Sequence, residues 1–454
     1  MLLGRTQETK YLENCYKKDG NQLVVLYGRG NVGKTSLIME FCRNKPYSYY
    51  LARQCSDSEQ LKLWSDEILE KGGSLQLKTG YSSVFSALTS EGDSKIVVVI
   101  DEFQNIVKNS KDFMREVVNL IHNCFHSRPV MVVLCSSSVG FVENSMVSRI
   151  GETAYEITGF LKIKELGFLE LVRRFPEYDT MECVMLYGIL GGVPGLWRYF
   201  SANATIRENI CRAVLRKGTV LHTEAERFVS EELREPSVYY TILSCIAAGK
   251  QKLNDLYCET GFSRAKISVY LKNLTELEIV EKVYSVDTEG RDHAMKGLYR
   301  IKNHFVNFWF HFVFPHYSAL QWMTEEEFYD CYIFPGLKEY TAGFFPAVCR
   351  EYLSLMNQAG RLPLKYEKAG SWVGKNGTID IVAKDRTGRI LAGICEFLND
   401  VMTKDDYERL LKTMKQARIK AEYIYLFSAG GFDSVLEELA KERADLKLIC
   451  LSQL

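Results

Sequence analysis

The sequence has no excess of charge of either sign. Its 57 lysines and arginines balance 57 aspartates and glutamates over 454 residues. That balance offers no global argument for a nucleic-acid or acidic partner, so such a contact would need a local basic patch. Long apolar runs are also missing. The longest, such as IVVVI at 96–100, fall far short of the ~20 residues that span a bilayer, so no membrane partner is expected. The opening MLLGRTQETK has no basic segment ahead of an apolar one, and a signal peptide is not expected. The 13 cysteines are odd in number and contain no CxxC pair. This argues against a disulfide framework or a zinc site and for reduced, mostly buried thiols in a cytoplasmic protein. Low-complexity stretches and solenoid-like repeats are absent as well.

What is present is an ordinary globular composition, 46% hydrophobic and 25% charged. At roughly 100–200 residues per domain the length suggests two to four domains. The first 160 residues alternate apolar strands with helices. QLVVLYG (22–28), SYYLAR (48–53), KIVVVIDEF (95–103) and PVMVVLCSSS (129–138) read as strands, with helices near 34–43, 57–70 and 111–125. Continuous β-branched runs between helices imply a parallel sheet covered on both faces, hence an α/β fold class. Residues 161–235 read as helical, broken by GGVPG at 191–195. Residues 236–300 read as three helices and a hairpin, the order of a winged helix-turn-helix, with Ser263 as an N-cap of the third helix. The aromatic stretch 301–345 reads as a helical connector that buries large side chains. As a base-stacking platform it would lack the interleaved basic residues. Residues 346–454 read as a further mixed α/β domain, with helices at 346–357 and 403–418 and strands near 378–384, 390–397 and 422–428.

LYGRGNVGKTSL (26–37) carries the clearest chemistry. Gly28-x-x-x-x-Gly33-Lys34-Thr35 fits a P-loop (Walker A) and lies in the required setting between a buried strand and a helix. The loop Gly28, Arg29, Gly30, Asn31, Val32, Gly33, Lys34, Thr35 and Ser36 would turn backbone N–H groups towards phosphates. The positive end of the helix dipole adds to this. Lys34 would reach the β- and γ-phosphates of ATP, and the Thr35 hydroxyl would bind magnesium. IVVVIDEF supplies a Walker B pair. Asp101 at the strand end is placed to hold magnesium, and Glu102 to act as general base towards the attacking water. The alternative for Glu102 is a helix cap. Ser136 and Ser137, after another strand, suit either a γ-phosphate contact or an ordinary turn.

These features, with LLGRTQE before the first strand, VVLCSSS, GGVPG and the three-helix module, resemble the archaeal-type branch of the STAND class of P-loop ATPases, relatives of the AAA proteins. The resemblance covers roughly residues 1–310. It implies that residues 161–235 form a lid and that Arg5 lies near the base or phosphates. It also implies that Arg149 senses phosphate, unless it is a surface charge, and that Pro194 sits in the lid's nucleotide-sensing turn. In the winged helix, Arg264, Ser268 and Lys272 share a face with DNA-contacting potential beside Lys266, but Glu276 and Glu278 follow. Such modules in this class also serve structural roles.

In many members of that branch the last domain resembles the restriction-endonuclease fold. The matching acids would be Glu351 and Asp380, with Glu-x-Lys on the next strand. Here that strand reads Ile394-Cys395-Glu396, and in the slipped register Leu398 replaces the lysine. Lys375, Lys384 and Lys404 are substitutes that no spacing demands. The implied fold is therefore retained and nuclease activity is not expected. Glu351 and Asp380 are then surface charges or helix contacts as readily as ligands. The expectation is a cytoplasmic, magnesium-dependent switch ATPase binding ATP or ADP, of slow turnover. Its rivals are a nucleotide-gated scaffold and an ATP-regulated DNA-binding protein or nuclease. The C-terminal domain would dock a protein partner.

Overall fold

The computed structural model describes residues 3–71, 80–90, 92–110, 112–122, 128–230, 233, 235–286, 297–374 and 377–453. Lys375, the polar loop 287–296 and residues 123–125 of the expected helix at 111–125 lie outside the described residues. The chain divides into two compact units. One comprises residues 1–166 with 193–195, the other residues 167–192 with 196–454.

The first unit is built on a five-stranded parallel sheet. Its strands are β1 (Gln22–Tyr27), β2 (Tyr47–Leu51), β3 (Ile96–Asp101), β4 (Val130–Ser136) and β5 (Gly159–Lys162), in the order β2-β3-β4-β1-β5. The strand alternation explains why both faces are covered. Leu23, Val25, Val98, Ile100, Val132 and Leu134 enter one core with Trp64, Phe85 and Phe113 from the helices Asp57–Glu70, Tyr81–Thr89 and Phe113–Ile121. Val24, Leu26, Val97, Val99, Met131 and Val133 enter the other, against Leu12 of Thr6–Lys17 and Leu37, Ile38 and Phe41 of Lys34–Cys42. The fifth strand was not anticipated. It is short, its residue Phe160 is exposed, and the boundary expected at 160 falls inside it.

Strand β5 decides one residue of the phosphate loop. Ile163 N–H donates to the Tyr27 carbonyl at 2.7 Å. A Cβ on Gly28 would stand well inside contact distance of the Ile163 carbonyl oxygen and 3.2 Å from its carbon. Only glycine lets the two backbones pass this closely.

In the second unit, the helices Pro236–Ala247, Leu253–Thr260 and Arg264–Glu276 are followed by the antiparallel pair β6 (Val280–Val283) and β7 (Leu298–Ile301). Ser263 caps the third helix through Lys266 N–H. The aromatic stretch folds into short helices from His304 onward, and Phe305, Phe308, Trp309, Phe310 and Phe312 are buried. The C-terminal sheet is mixed. Its strands are β8 (Tyr366–Gly374), β9 (Gly377–Asp385), β10 (Ile390–Glu396), β11 (Tyr423–Ser428) and β12 (Leu446–Cys450), in the order β12-β11-β10-β9-β8. Strands β8 to β10 form an antiparallel meander, and β10, β11 and β12 run parallel. The helices Phe345–Gln358, Lys404–Ala417 and Ser434–Glu442 accompany them. The chain is thus an α/β protein with a parallel P-loop-type sheet and a separate mixed sheet.

Two expected outcomes follow from close contacts. Gly28→Ala should destabilise the first unit by about 1–3 kcal/mol, the range for a forced backbone shift, read from urea unfolding. An unchanged midpoint would mean that β5 yields freely. In the second unit the Glu351 carboxylate accepts from Phe168 N–H at 2.8 Å and Leu169 N–H at 3.2 Å, at the start of the helix Phe168–Arg174. Glu351→Ala leaves both donors without that acceptor and should cost about 1–3 kcal/mol, with Glu351→Gln restoring part of it. Equal melting of the two variants would remove this contact from the fold's stability.

Candidate functional site

The site forms where β1 and β3 end on the same edge of the parallel sheet. Strand β1 runs into the loop 28–33, and the helix Lys34–Cys42 starts directly after Gly33. Gly33 has φ of 97°, which an L side chain rarely adopts. The turn leaves the first N–H groups of the helix facing the loop, where an anion would meet them. The Lys34 side chain is buried, and its Nζ donates to the carbonyls of Gly28 at 2.7 Å and Arg29 at 3.0 Å. Burial lowers its pKa, while the nearby carboxylates of Glu102 and Asp101 act in the opposite direction.

Asp101 closes β3 and is buried. Its Oδ1 accepts from Glu102 N–H at 3.0 Å, and its Oδ2 accepts from the Tyr49 hydroxyl at 2.7 Å. The Thr35 hydroxyl lies 3.4 Å from the same Oδ2. Thr35 and Asp101 therefore offer two hard oxygens side by side at the mouth of the phosphate loop. Magnesium takes few protein oxygens of this kind beside phosphate and water, so the donor set fits it.

Glu102 follows with φ of 52°, in the left-handed region that costs a non-glycine residue about 1 kcal/mol or more. Its Oε2 collects three donors: Ser137 Oγ at 2.7 Å, Ser137 N at 3.2 Å and Gln104 Nε2 at 2.5 Å. The twist of the backbone and these donors aim the carboxylate at the end of β4. Ser137, which suited either a phosphate contact or a turn, is here a partner of Glu102. Ser136 is fully buried and bonds locally with Ser138.

Arg5 is buried. Its guanidinium donates to the carbonyls of Val32 at 2.7 Å and Lys164 at 2.8 Å and pairs with Glu8 at 2.9 Å. It braces the phosphate loop from the protein side. Arg29 pairs with Glu165 at 2.9 Å. Arg149 is exposed in the last turn of the helix Met146–Ile150. Next to Pro194, Gly195 N–H donates to the Asn31 carbonyl at 2.9 Å. A Cβ on Gly195 would lie 2.8 Å from that oxygen and 3.0 Å from Asn31 Cα, so the turn can seat on the loop only with glycine there.

Sequence reasoning missed Tyr49, Gln104, Gly195 and Glu165. Tyr49 had a usable signal. It pairs with Val99 in the β2–β3 register, as Leu51 pairs with Asp101, and strand alternation puts it on the face that carries Asp101. The other three depend on loop geometry that no periodicity encodes.

The acids considered in the C-terminal domain serve the backbone. Besides Glu351, Asp380 Oδ2 accepts from Cys395 N–H at 2.9 Å, and Glu396 Oε1 accepts from Leu398 N–H at 2.9 Å and Asn399 N–H at 3.1 Å. Burial pushes Asp380 and Glu351 above the usual carboxylate range. Glu351 is therefore neither a surface charge nor placed as a ligand; it caps a helix. Lys384 is exposed, and Lys404 pairs with Glu408 at 3.6 Å. Among the described residues, no group of three or more metal-ligating His, Cys, Asp or Glu side chains is found, and no helix is long and apolar enough to cross a membrane.

Comparison with known proteins bears on both parts. Residues 2–199 match a family model described as an ATPase domain predominantly from Archaea, and residues 309–419 match one described as "Archaea bacterial proteins of unknown function". An uncharacterized protein of Methanocaldococcus jannaschii is 27% identical over 386 residues, which is 84% of either chain. An uncharacterized ATP-binding protein of the same organism is 42% identical over 45 residues, 10% of this chain and 76% of that one. Among solved structures, the chain is similar to a Walker-type ATPase of Pyrococcus abyssi, with a TM-score of 0.49 and 19% identity over 68% of this chain and 96% of the other. The chain thus carries, in one sequence, a stretch that matches the predominantly archaeal ATPase domain and a stretch that matches this second, C-terminal family.

Proposed function

We propose that the chain is a magnesium-dependent, STAND-type switch ATPase that binds ATP or ADP in the loop 28–36 and hydrolyses ATP slowly. The observation that carries this reading is the meeting of the Lys34 loop, the Thr35–Asp101 pair and Glu102 at one sheet edge. Lys34 exchanges its bonds to the Gly28 and Arg29 carbonyls for the β- and γ-phosphate oxygens. Thr35 and Asp101 hold magnesium, which when bound spreads the charge developing on the phosphates. Glu102 orients the water that attacks the γ-phosphorus and takes its proton, and ADP leaves with the broken phosphoanhydride oxygen. Arg5 keeps the loop in shape, and Arg149 supplies a cation to the γ-phosphate. Pro194 and Gly195 carry the state of the loop to the lid, residues 161–235.

Slow turnover is favoured by the Glu102 contacts. Three donors on one oxygen hold the carboxylate at Ser137, so it must swing away from them before it can serve the attacking water. We read residues 236–300 as a winged helix with a structural role. Its basic residues already have partners: Arg264 bonds Asn254 and stacks on Tyr257, and Lys272 pairs with Glu276. Residues 301–345 are the aromatic connector. Residues 346–454 are a docking domain for a protein partner, of restriction-endonuclease-like descent without the chemistry, because the strand that should carry Glu-x-Lys reads Ile394-Cys395-Glu396 and both oxygens of Glu351 cap a helix.

The test is phosphate release by the full chain with magnesium and saturating ATP. Glu102→Gln should lower turnover by about 10²-fold or more, the usual range for a general base, while ATP still raises the melting temperature. Lys34→Ala should lose that thermal protection. If both variants hydrolyse as the parent does, the reading is wrong. The same preparation should leave supercoiled plasmid intact with magnesium or manganese. Nicking that Asp380→Ala abolishes would return the C-terminal domain to the nucleases.

A further inference from the structure

We propose that Tyr49 is the positioning residue that fixes Asp101 for its divalent cation, and that this brace favours magnesium over larger cations. The proposal rests on the nucleotide-site reading above and adds a residue to it. A carboxylate at the end of a strand can rotate about two bonds, so the oxygen it presents beside Thr35 depends on its rotamer. Here both oxygens are tied. Glu102 N–H holds Oδ1 at 3.0 Å, and the Tyr49 hydroxyl holds Oδ2 at 2.7 Å. Each oxygen has two lone pairs, so Oδ2 keeps one for a cation. The Thr35 hydroxyl at 3.4 Å is too far for a strong O–H···O bond to the same oxygen. Tyr49 therefore supplies the short, charge-assisted contact that sets the carboxylate plane.

The brace is stiff because of where Tyr49 stands. It lies in the middle of β2, paired with Val99, while Asp101 pairs with Leu51 in the same parallel ladder. Its ring packs partly buried against the core that holds Leu37, Phe41 and Val99. A phenol is protonated across the neutral range, so the hydroxyl stays a donor. Groups of this kind, one bond behind a ligand, typically alter metal affinity 10–100-fold. Magnesium needs near-ideal octahedral geometry, whereas calcium accepts irregular shells. Loosening Asp101 should therefore cost magnesium more than calcium.

The experiment is calorimetric titration of ADP into the full chain, first without metal and then across magnesium and calcium series. In Tyr49→Phe, which keeps the ring, metal-free ADP affinity should match the parent. The magnesium concentration that gives half of the affinity gain should rise about tenfold, and the calcium value by less than about threefold. Added to Asp101→Asn, Tyr49→Phe should have no further effect on the magnesium dependence, because the residue it positions is already gone. Parent-like magnesium dependence in Tyr49→Phe, or full additivity with Asp101→Asn, overturns the proposal while leaving nucleotide binding intact. Failure of the parent chain to bind ADP at all overturns the underlying reading. A Tyr49→Phe chain that melts as the parent does but has lost metal-free ADP binding assigns Tyr49 to the nucleotide pocket instead and also overturns the proposal.

Discussion

Parallel pairing of β3, β4 and β1 is the constraint on which the site depends. β4 stands between the two strands that carry chemistry. Tyr27 is level with Ser136, and Ile100 with Leu134, so β1 and β3 end within about one residue of each other on one edge. The phosphate loop, Asp101 and Ser137 are brought together by that register rather than by contacts of their own. A slip of one residue in a parallel ladder would turn each of these side chains to the other face. Each strand sends successive residues into two separate cores, so the paired strands are buried on both faces.

Within that frame the site is held by polar contacts that leave little slack. Lys34 rests on loop carbonyls, Asp101 is tied at both oxygens, and Glu102 is hooked through one oxygen in a strained backbone conformation. Preorganisation of this kind favours tight, oriented binding of a phosphate chain. The Glu102 hook works against rapid proton transfer. On the proposed reading, a protein built this way suits long-lived nucleotide states better than fast turnover. The C-terminal domain shows the complementary economy. Glu351, Asp380 and Glu396, the acids the sequence offered for a cation, each satisfy backbone donors, at a helix start, between two strands and in a turn.

The sequence made the central strands, the phosphate loop and the Asp101–Glu102 pair legible because buried parallel strands are continuous apolar runs and the loop has fixed spacing. Apart from β2, the edge strands were not legible. β5 is four residues long and partly exposed, and β8, with Glu367, Lys368 and two glycines, has no apolar period at all. β12 and the helix Ser434–Glu442 were passed over as well, being short. In the site, Tyr49 followed from strand parity once the partner strand was known. The Gly195–Asn31 contact and the Gln104–Glu102 contact did not, because they join loops whose path is set by tertiary packing. The aromatic stretch after 301 folds into short helices with buried rings, because large rings without interleaved charge have little else to do but pack.

The central claim is that the loop after β1 is a nucleotide site. Calorimetric titration of the full chain with ATP and magnesium measures it most directly. The account predicts saturable binding of one ATP per chain, competed by ADP and weakened when magnesium is chelated. A titration without saturable heat, under conditions where the chain is folded and free of bound nucleotide, would contradict it.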